Sequence, residues 1–382
     1  MATTALTRAV RDAQLAAPMW CLTQGAVRTP GDDRLARPAQ AAVHGLGRVA
    51  ALELAERWGG TVDLPEAVDD RALTCMLQVL AADWPRRESE VAVRANGLYG
   101  RRLVRANVAA GDWTPHGTVL VTGAATPIGA RLTRWLAANG AAHLVLVGER
   151  PDDEAHAPLT DVKTTVVTDP ADLGNVLETL PHPVTALVHA ETQTAFGALT
   201  ELDLDDFADI LAAKTELLFA IDAALSGRQL EREIYCSSVA GVWGATSMAA
   251  YAAGSAYLDA LAEHRSLTGR PCTAVAWSPW ADTGAAVDQA RLRERGLRAL
   301  AGACAGGLET HSRRGQRHRS GVRCGLAGVH RGVRRHPAHG PVRRAGRAPG
   351  AGHRGHRPGG PGRRDGTYPT RPARRVARRG TP

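Results

Sequence analysis

From Thr118 onward the chain alternates short apolar runs with longer amphipathic stretches. The runs are Thr118–Thr122, His143–Val147, Thr164–Thr168, Ala186–His189, Glu233–Cys236 and Thr273–Trp277. Helical periodicity marks Ile128–Asn139, Ala171–Leu180, Leu204–Ala224 and Ala249–Leu267. Repeated strand–helix units predict an α/β fold with a parallel sheet and helices on both faces. Right-handed crossovers make such a sheet doubly wound, of the Rossmann type, with ligands at the carboxyl ends of its strands. Upstream, Pro18–Thr23 reads as a strand, and Pro38–Leu54 and Arg71–Ala82 read as helices. Glu90–Val108 reads as a hairpin turning at Asn96-Gly97. Residues 1–110 are expected to form a truncated second α/β subdomain with no catalytic constellation. Gly111–Gly117 (GDWTPHG) is a linker by composition, so the Rossmann-type unit is expected to span 111–300.

Charge changes the picture at the far end. Residues 301–382 hold 20 arginines, no lysine, one aspartate and one glutamate, a net of +18; the first 300 residues therefore carry −9 of the overall +9. The stretch Ala301–Pro382 is rich in Arg, Gly, Pro and His and has Tyr368 as its only aromatic residue. It has too little apolar material for a core and is expected to be disordered. Arginine–glycine segments bind RNA phosphates without sequence preference, which is one reading of the tail. The abrupt shift of composition favours the other, a frame-shifted translation of GC-rich DNA.

The acidic remainder reads as a soluble globular protein. Cys21, Cys75, Cys236, Cys272, Cys304 and Cys324 form no CxxC and no metal-ligand spacing, so free thiols and no metal are expected. The start, MATTALTRAVRDAQLAAPMW, lacks a signal peptide's apolar core, and no run approaches membrane-spanning length. A cytoplasmic protein is expected. Lysine occurs only at Lys163 and Lys214, which draws notice to both.

Candidate chemistry concentrates in Ile234–Leu261 (IYCSSVAGVWGATSMAAYAAGSAYLDAL). A strand-end serine, Ser238, precedes by thirteen residues a tyrosine, Tyr251, that opens an alanine-rich helix. Such a pair can converge on a carbonyl, the serine orienting its oxygen and the phenol supplying a proton when a nearby ammonium stabilises the phenolate. A merely packed tyrosine fits the stretch equally well. The first run leads into TGAATPIG, Thr122–Gly129, a glycine-bearing turn before a helix that could present N–H groups to a pyrophosphate. Arg150 could meet an adenosine 2′-phosphate, or be a plain surface residue. Asp169 could accept from an adenine amino group, or cap the helix that follows.

In these motifs the chain resembles the ketoreductase domains of modular type I polyketide synthases, within the short-chain dehydrogenase/reductase superfamily. The resemblance runs from about residue 17 to 300. It is carried by AQAAVHGLGRVAALELAERWGGTVDLP in the first part, and by LVHA, LAAKTELL, CSSVAGVWG, AAYAAGSAYLDALAEHR and TAVAWSPWADTG in the second. It implies NADPH-dependent reduction of a β-ketoacyl chain tethered to an acyl carrier protein. The carrier protein and neighbouring synthase domains are the expected partners, with no membrane and no specific nucleic acid. Tyr251 matches the catalytic tyrosine, Ser238 the carbonyl-binding serine and Lys214 the relay lysine; Ser255 takes the place of the relay asparagine. Thr122, Gly123, Ala125, Ile128, Gly129, Arg150, Asp169, His189 and Ala190 fall at the family's nucleotide contacts, and Ser278 and Pro279 flank the nicotinamide. Trp243, with no Leu-Asp-Asp after the fourth strand, resembles the A-type stereochemical pattern.

Several positions depart from that pattern. Ala124, Ala125, Thr126 and Pro127 replace much of a glycine-rich turn; Gly148-Glu149 replaces serine-arginine; Glu191 and Thr192 follow His189 and Ala190 where alanine and glycine are usual. The added Cβ atoms and the missing Pro127 N–H narrow the phosphate approach. Weak NADPH binding, and a catalytically impaired structural remnant as the alternative function, are therefore part of the expectation.

Overall fold

The structure is a computed structural model, which describes residues 1–31, 34–82, 88–105, 113–149, 162–193, 195–279, 323–325 and 331–337. Helix α1 (Ala2–Asp12) leads to strand β1 (Met19–Gln24). Helix α2 (Ala41–Glu53), strand β2 (Trp58–Leu64) and helix α3 (Asp70–Leu80) follow, then the hairpin β3 (Glu90–Arg94) and β4 (Gly97–Arg105). β1, β2 and β3 are parallel, and β4 returns antiparallel through Asn96-Gly97. The hairpin sits where the sequence places it; α1 and β2 carry no sequence expectation.

The second part is β5 (Thr118–Thr122), α4 (Pro127–Ala138), β6 (His143–Val147), β7 (Lys163–Val167), α5 (Leu173–Glu178) and β8 (Val184–His189). Then come α6 (Leu204–Ala213), α7 (Glu216–Ala224), β9 (Arg232–Ser238), α8 (Val239–Trp243), α9 (Ala249–Leu267) and β10 (Cys272–Trp277). Strands β10-β9-β8-β5-β6-β7 lie side by side in that order, all parallel. Alternate residues of β5 feed opposite faces: Val119 and Val121 join one core with Leu132 and Leu136 of α4, and Leu120 joins the other with Leu218 and Ile221 of α7. This is the expected doubly wound arrangement. Strand order reverses between β5 and β8, which opens the ligand crevice there.

The single helix expected over Leu204–Ala224 is two, broken at Lys214. Its apolar periodicity runs through the break, so the pattern alone does not show it. The loop expected after Ser238 begins with the short helix α8, which Ser238 caps through its side chain to the Ala240 N–H (3.2 Å).

Most of Ala301–Pro382, expected to be disordered, lies outside the described residues. At two places the structure departs from that expectation. β11 (Arg323–Gly325) pairs parallel with β10, and β12 (Arg331–Pro337) pairs antiparallel with both β11 and β4. A sheet edge offers backbone groups that almost any sequence can satisfy, so pairing here needs no apolar pattern. All twelve strands thereby form one sheet among the described residues.

Helix α2 lies against α9, with Leu46, Val49 and Ala50 packed on Ala249, Ala252 and Ala253. A Cβ on Gly45 would stand 2.3 Å from the Ala252 carbonyl oxygen, so only glycine permits this approach. Among the described residues no helix is long and apolar enough to cross a membrane, and no group of His, Cys, Asp and Glu could hold a metal ion.

Candidate active site

The carboxyl ends of the strands gather the candidate residues. Thr122 of β5 is in register with Val147 of β6 and with His189 of β8, and Ser238 of β9 is in register with Trp277 of β10. Ser278 (buried) and Pro279 therefore emerge beside Ser238. Tyr251 opens α9, half-buried, with Ser255 one turn further on.

Lys214 is fully buried, and its Nζ lies 4.5 Å from the centre of the Tyr251 ring. No hydrogen-bond partner is found for that Nζ among the described residues. Its aliphatic stem crosses α9 at Gly254, where a Cβ would stand 3.0 Å from Lys214 Cδ. Gly254 is three residues from Tyr251, so both lie on one face of the helix. The backbone at Lys214 is fixed by His189, whose Nε2 lies 3.0 Å from the Lys214 carbonyl oxygen and whose Nδ1 lies 2.8 Å from the Thr122 hydroxyl. A carbonyl can only accept, so Nε2 carries the proton and Nδ1 accepts from Thr122. Burial lowers the His189 pKa to about 4, keeping the ring neutral. His189 thus positions Lys214 in this structure, a role that its place in LVHA does not announce.

Ser255 is buried, and its hydroxyl donates to the Tyr251 carbonyl at 2.8 Å. The Ser237 hydroxyl donates in turn to the Ser255 carbonyl at 3.1 Å. Trp243 ends α8, half-buried against Val239, Val242 and Ala276.

The turn after β5 is tight. Gly123 has φ +62°, and a Cβ there would stand 2.6 Å from the Ala190 carbonyl. Thr126 caps α4: its hydroxyl accepts from the Gly129 N–H (3.0 Å) and donates to the Gly123 carbonyl (2.7 Å). One N–H that could face a phosphate is thereby engaged within the turn. Ala125 and Ile128 are half-exposed on the same turn. Glu191 follows the same crossing, its carboxyl reaching the end of β6, where Oε2 would stand 3.9 Å from a Cβ on Gly148. Burial raises the Glu191 pKa, the Glu149 charge adds to the rise, and Lys214 opposes it. Asp169 is exposed and accepts from the Ala171 N–H at 2.9 Å, capping the turn that follows. Arg150 lies outside the described residues.

The residues present fit a nicotinamide cofactor at its nicotinamide end. A buried amine without a partner is costly, and hydroxyl oxygens of a bound nucleoside would satisfy Lys214 Nζ. The phosphate end is more crowded, with the Thr126 hydroxyl already on the Gly129 N–H and the Glu191 carboxyl nearby.

Comparison with known proteins agrees with this geometry. The family model described as "KR domain" matches residues 117–282, and that described as "Polyketide synthase extender module SpnB, Rossmann fold domain" matches residues 2–103. The chain is 56% identical over 299 residues to Erythronolide synthase EryA2 of Saccharopolyspora erythraea, covering 77% of this chain and 8% of that protein. The chain thus spans only a small part of that relative's length. A solved structure titled "Structure of A-type Ketoreductases from Modular Polyketide Synthase" matches with TM-score 0.74 and 38% identity, covering 81% of this chain and 69% of that one. A second, titled "The Structure of a C2-type Ketoreductase from a Modular Polyketide Synthase", matches with TM-score 0.73 and 41% identity, covering 81% and 71%. Sequence, fold and the Lys214–Tyr251 pair converge, and the chain belongs to the ketoreductase domains of modular polyketide synthases.

Proposed function

We propose that this domain reduces a β-ketoacyl chain, tethered by phosphopantetheine to an acyl carrier protein, to the 3-hydroxyacyl chain with NADPH. When bound, the cofactor supplies a hydride to C3. Ser238 orients the ketone oxygen, and Tyr251 gives it a proton as the alkoxide forms. The Lys214 ammonium stabilises the phenolate left behind. Trp243 selects the face, in the A-type sense. Gly123, Ala125, Ile128, Gly129 and Ala190 would hold the pyrophosphate, Arg150 the 2′-phosphate, Asp169 the adenine, and Ser278 and Pro279 the nicotinamide. Residues 1–110 serve as a structural subdomain. The acyl carrier protein and other synthase domains are the partners, in the cytoplasm.

The observation that carries this reading is the buried, unpartnered Lys214 Nζ over the Tyr251 ring. The test is consumption of NADPH by the purified chain with a model β-ketothioester. Absence of 3-hydroxy product at any NADPH concentration would overturn it.

A second reading, a non-reducing structural domain, is favoured by Ser255. Its hydroxyl is committed to the Tyr251 carbonyl rather than to a proton relay. NADPH binding without turnover would establish it.

A further inference from the structure

The segment 195–203, after β8, and the loop Gly244–Met248, between α8 and α9, lie next to each other before Tyr251. A parallel bridge joins Gly197 to Met248, and the Gly197 N–H donates to the Ser247 carbonyl at 3.1 Å. Leu199, Ala249 and Tyr251 pack in one apolar cluster. The charged group that ties the two segments comes from neither of them. Glu53, the last residue of α2, accepts from the Leu199 N–H at 2.7 Å on one carboxylate oxygen and from the Ser247 N–H at 2.5 Å on the other. Both acceptors of the side chain are used, one on each segment.

Ser247 needs holding. It has φ +64°, one of two non-glycine residues with positive φ among the described residues. A residue with a side chain adopts that conformation at an energetic cost and keeps it only where its surroundings enforce it. Three residues later in the chain begins the pair Ala250–Tyr251, so the direction of this turn sets where α9 starts. The short helix α8 that leads into this loop is gripped from the same helix α2: Arg48 donates to the Gly241 carbonyl, its guanidinium anchored on Glu90 at 2.7 Å.

We propose that Glu53 is a positioning residue for the reductase site. From the N-terminal part of the chain it fixes the Ser247 turn, and with it the start of α9 and the loop that follows Trp243. It touches neither substrate nor cofactor. The proposal rests on the reductase reading for its kinetic consequence, and on geometry alone for its structural one. Glutamine at position 53 would keep one acceptor oxygen and turn an NH2 donor toward the other N–H.

The test uses the full chain with Glu53→Gln, Ser247→Gly and the double variant, and Glu53→Asp where Glu53→Gln does not fold. Amide hydrogen exchange over 195–203 and 244–248 is measured together with kcat, KM and the configuration of the 3-hydroxy product. In Glu53→Gln, exchange is expected to rise in those two segments alone. kcat/KM should fall about tenfold, as misplacement of a site by a fraction of an ångström does. The product should lose configurational purity while NADPH affinity stays within twofold. Ser247→Gly, which removes the strain, should restore part of both in the double variant. Unchanged exchange at Ser247 would overturn the proposal, as would a rise spread over the whole chain. If no variant reduces substrate, wild type included, the reductase reading fails, and the exchange result still decides whether Glu53 holds the turn.

Discussion

The Ser255 hydroxyl donates to the carbonyl of Tyr251, one helical turn back, at 2.8 Å. A serine satisfied within its own helix has no proton left for a neighbour. Its side chain is also too short to reach past that carbonyl.

Ser255→Asn tests what this costs. The longer amide can leave the helix backbone and hold a water beside Lys214 and Tyr251. Turnover is expected to rise roughly ten- to a hundredfold, the lower part of what general acid–base catalysis contributes, since only the relay behind the acid is restored. Steady-state rates with a β-ketothioester check this. A lower rate in the variant would show that the wild-type relay already works through serine.

Tyr251→Phe should abolish most turnover and leave NADPH affinity nearly unchanged, because the phenol oxygen acts only as the alkoxide forms. Lys214→Met should weaken both turnover and binding, since the Nζ that lies over the Tyr251 ring is also the group proposed to meet the nucleoside hydroxyls. Calorimetry with NADPH, run beside turnover, separates the two effects. Full activity in Tyr251→Phe would remove the proposed mechanism.

Glu191→Ala should tighten NADPH binding. The Glu191 carboxyl lies beside the turn proposed to hold the pyrophosphate, and Glu149 places a second negative charge nearby. Removing one like charge of this kind is worth about tenfold in affinity. The sign with pH follows. Burial raises the Glu191 pKa, so acidification neutralises it first, and wild-type affinity should improve as pH falls through that range. Lys214, the facing positive group, moderates the effect. Glu191→Ala, titrated in parallel, should show a weaker pH response; identical profiles would clear Glu191 of the role.

Asp259 gives a stability prediction. Burial raises its pKa from 3.8 to about 7; the nearby Ser237 hydroxyl dipole and the charges of Arg48 and Arg101 pull it back, and Glu263 pushes it up. An acid whose pKa rises on folding destabilises the fold as pH climbs from the unfolded value to the folded one. Its cost is absent below about pH 4 and complete above about pH 7. Asp259→Asn should therefore stabilise the chain at pH 8 by on the order of 2 kcal/mol and little at pH 4. Urea melts at the two values check it; an equal effect at both would contradict the assignment.

How far the sequence discloses this structure differs from residue to residue. The strands β5, β6, β8, β9 and β10 are legible because a buried parallel strand carries a nearly unbroken apolar run, and β7 (KTTVV), mostly exposed, because of its β-branched residues. β2 is not, since WGGTVDL has two glycines and an aspartate, and its burial comes from neighbours on both faces. Tyr251 and Ser238 stand out through their residue types and spacing, while Lys214 draws notice as one of two lysines and gains its role only through the family resemblance. Glu53 does not: an acid in ALELAE resembles any helix-surface charge, and its two partners are 146 and 194 residues away. Asp169 is read in the sequence both as an adenine contact and as a cap, and the cap is present in the structure.

The close approach at Gly45 bears on how the molecule comes apart. Helix α2 is separated from α9 in sequence by most of the chain, yet the two touch almost backbone to backbone. An element that cannot lose its partner without exposing a shared core melts together with it. The linker before β5 therefore marks a boundary of sequence and not of cooperativity. Denaturation should run through a single transition across both parts, and a fragment cut at that linker should expose the apolar face of α9 and misassemble rather than fold.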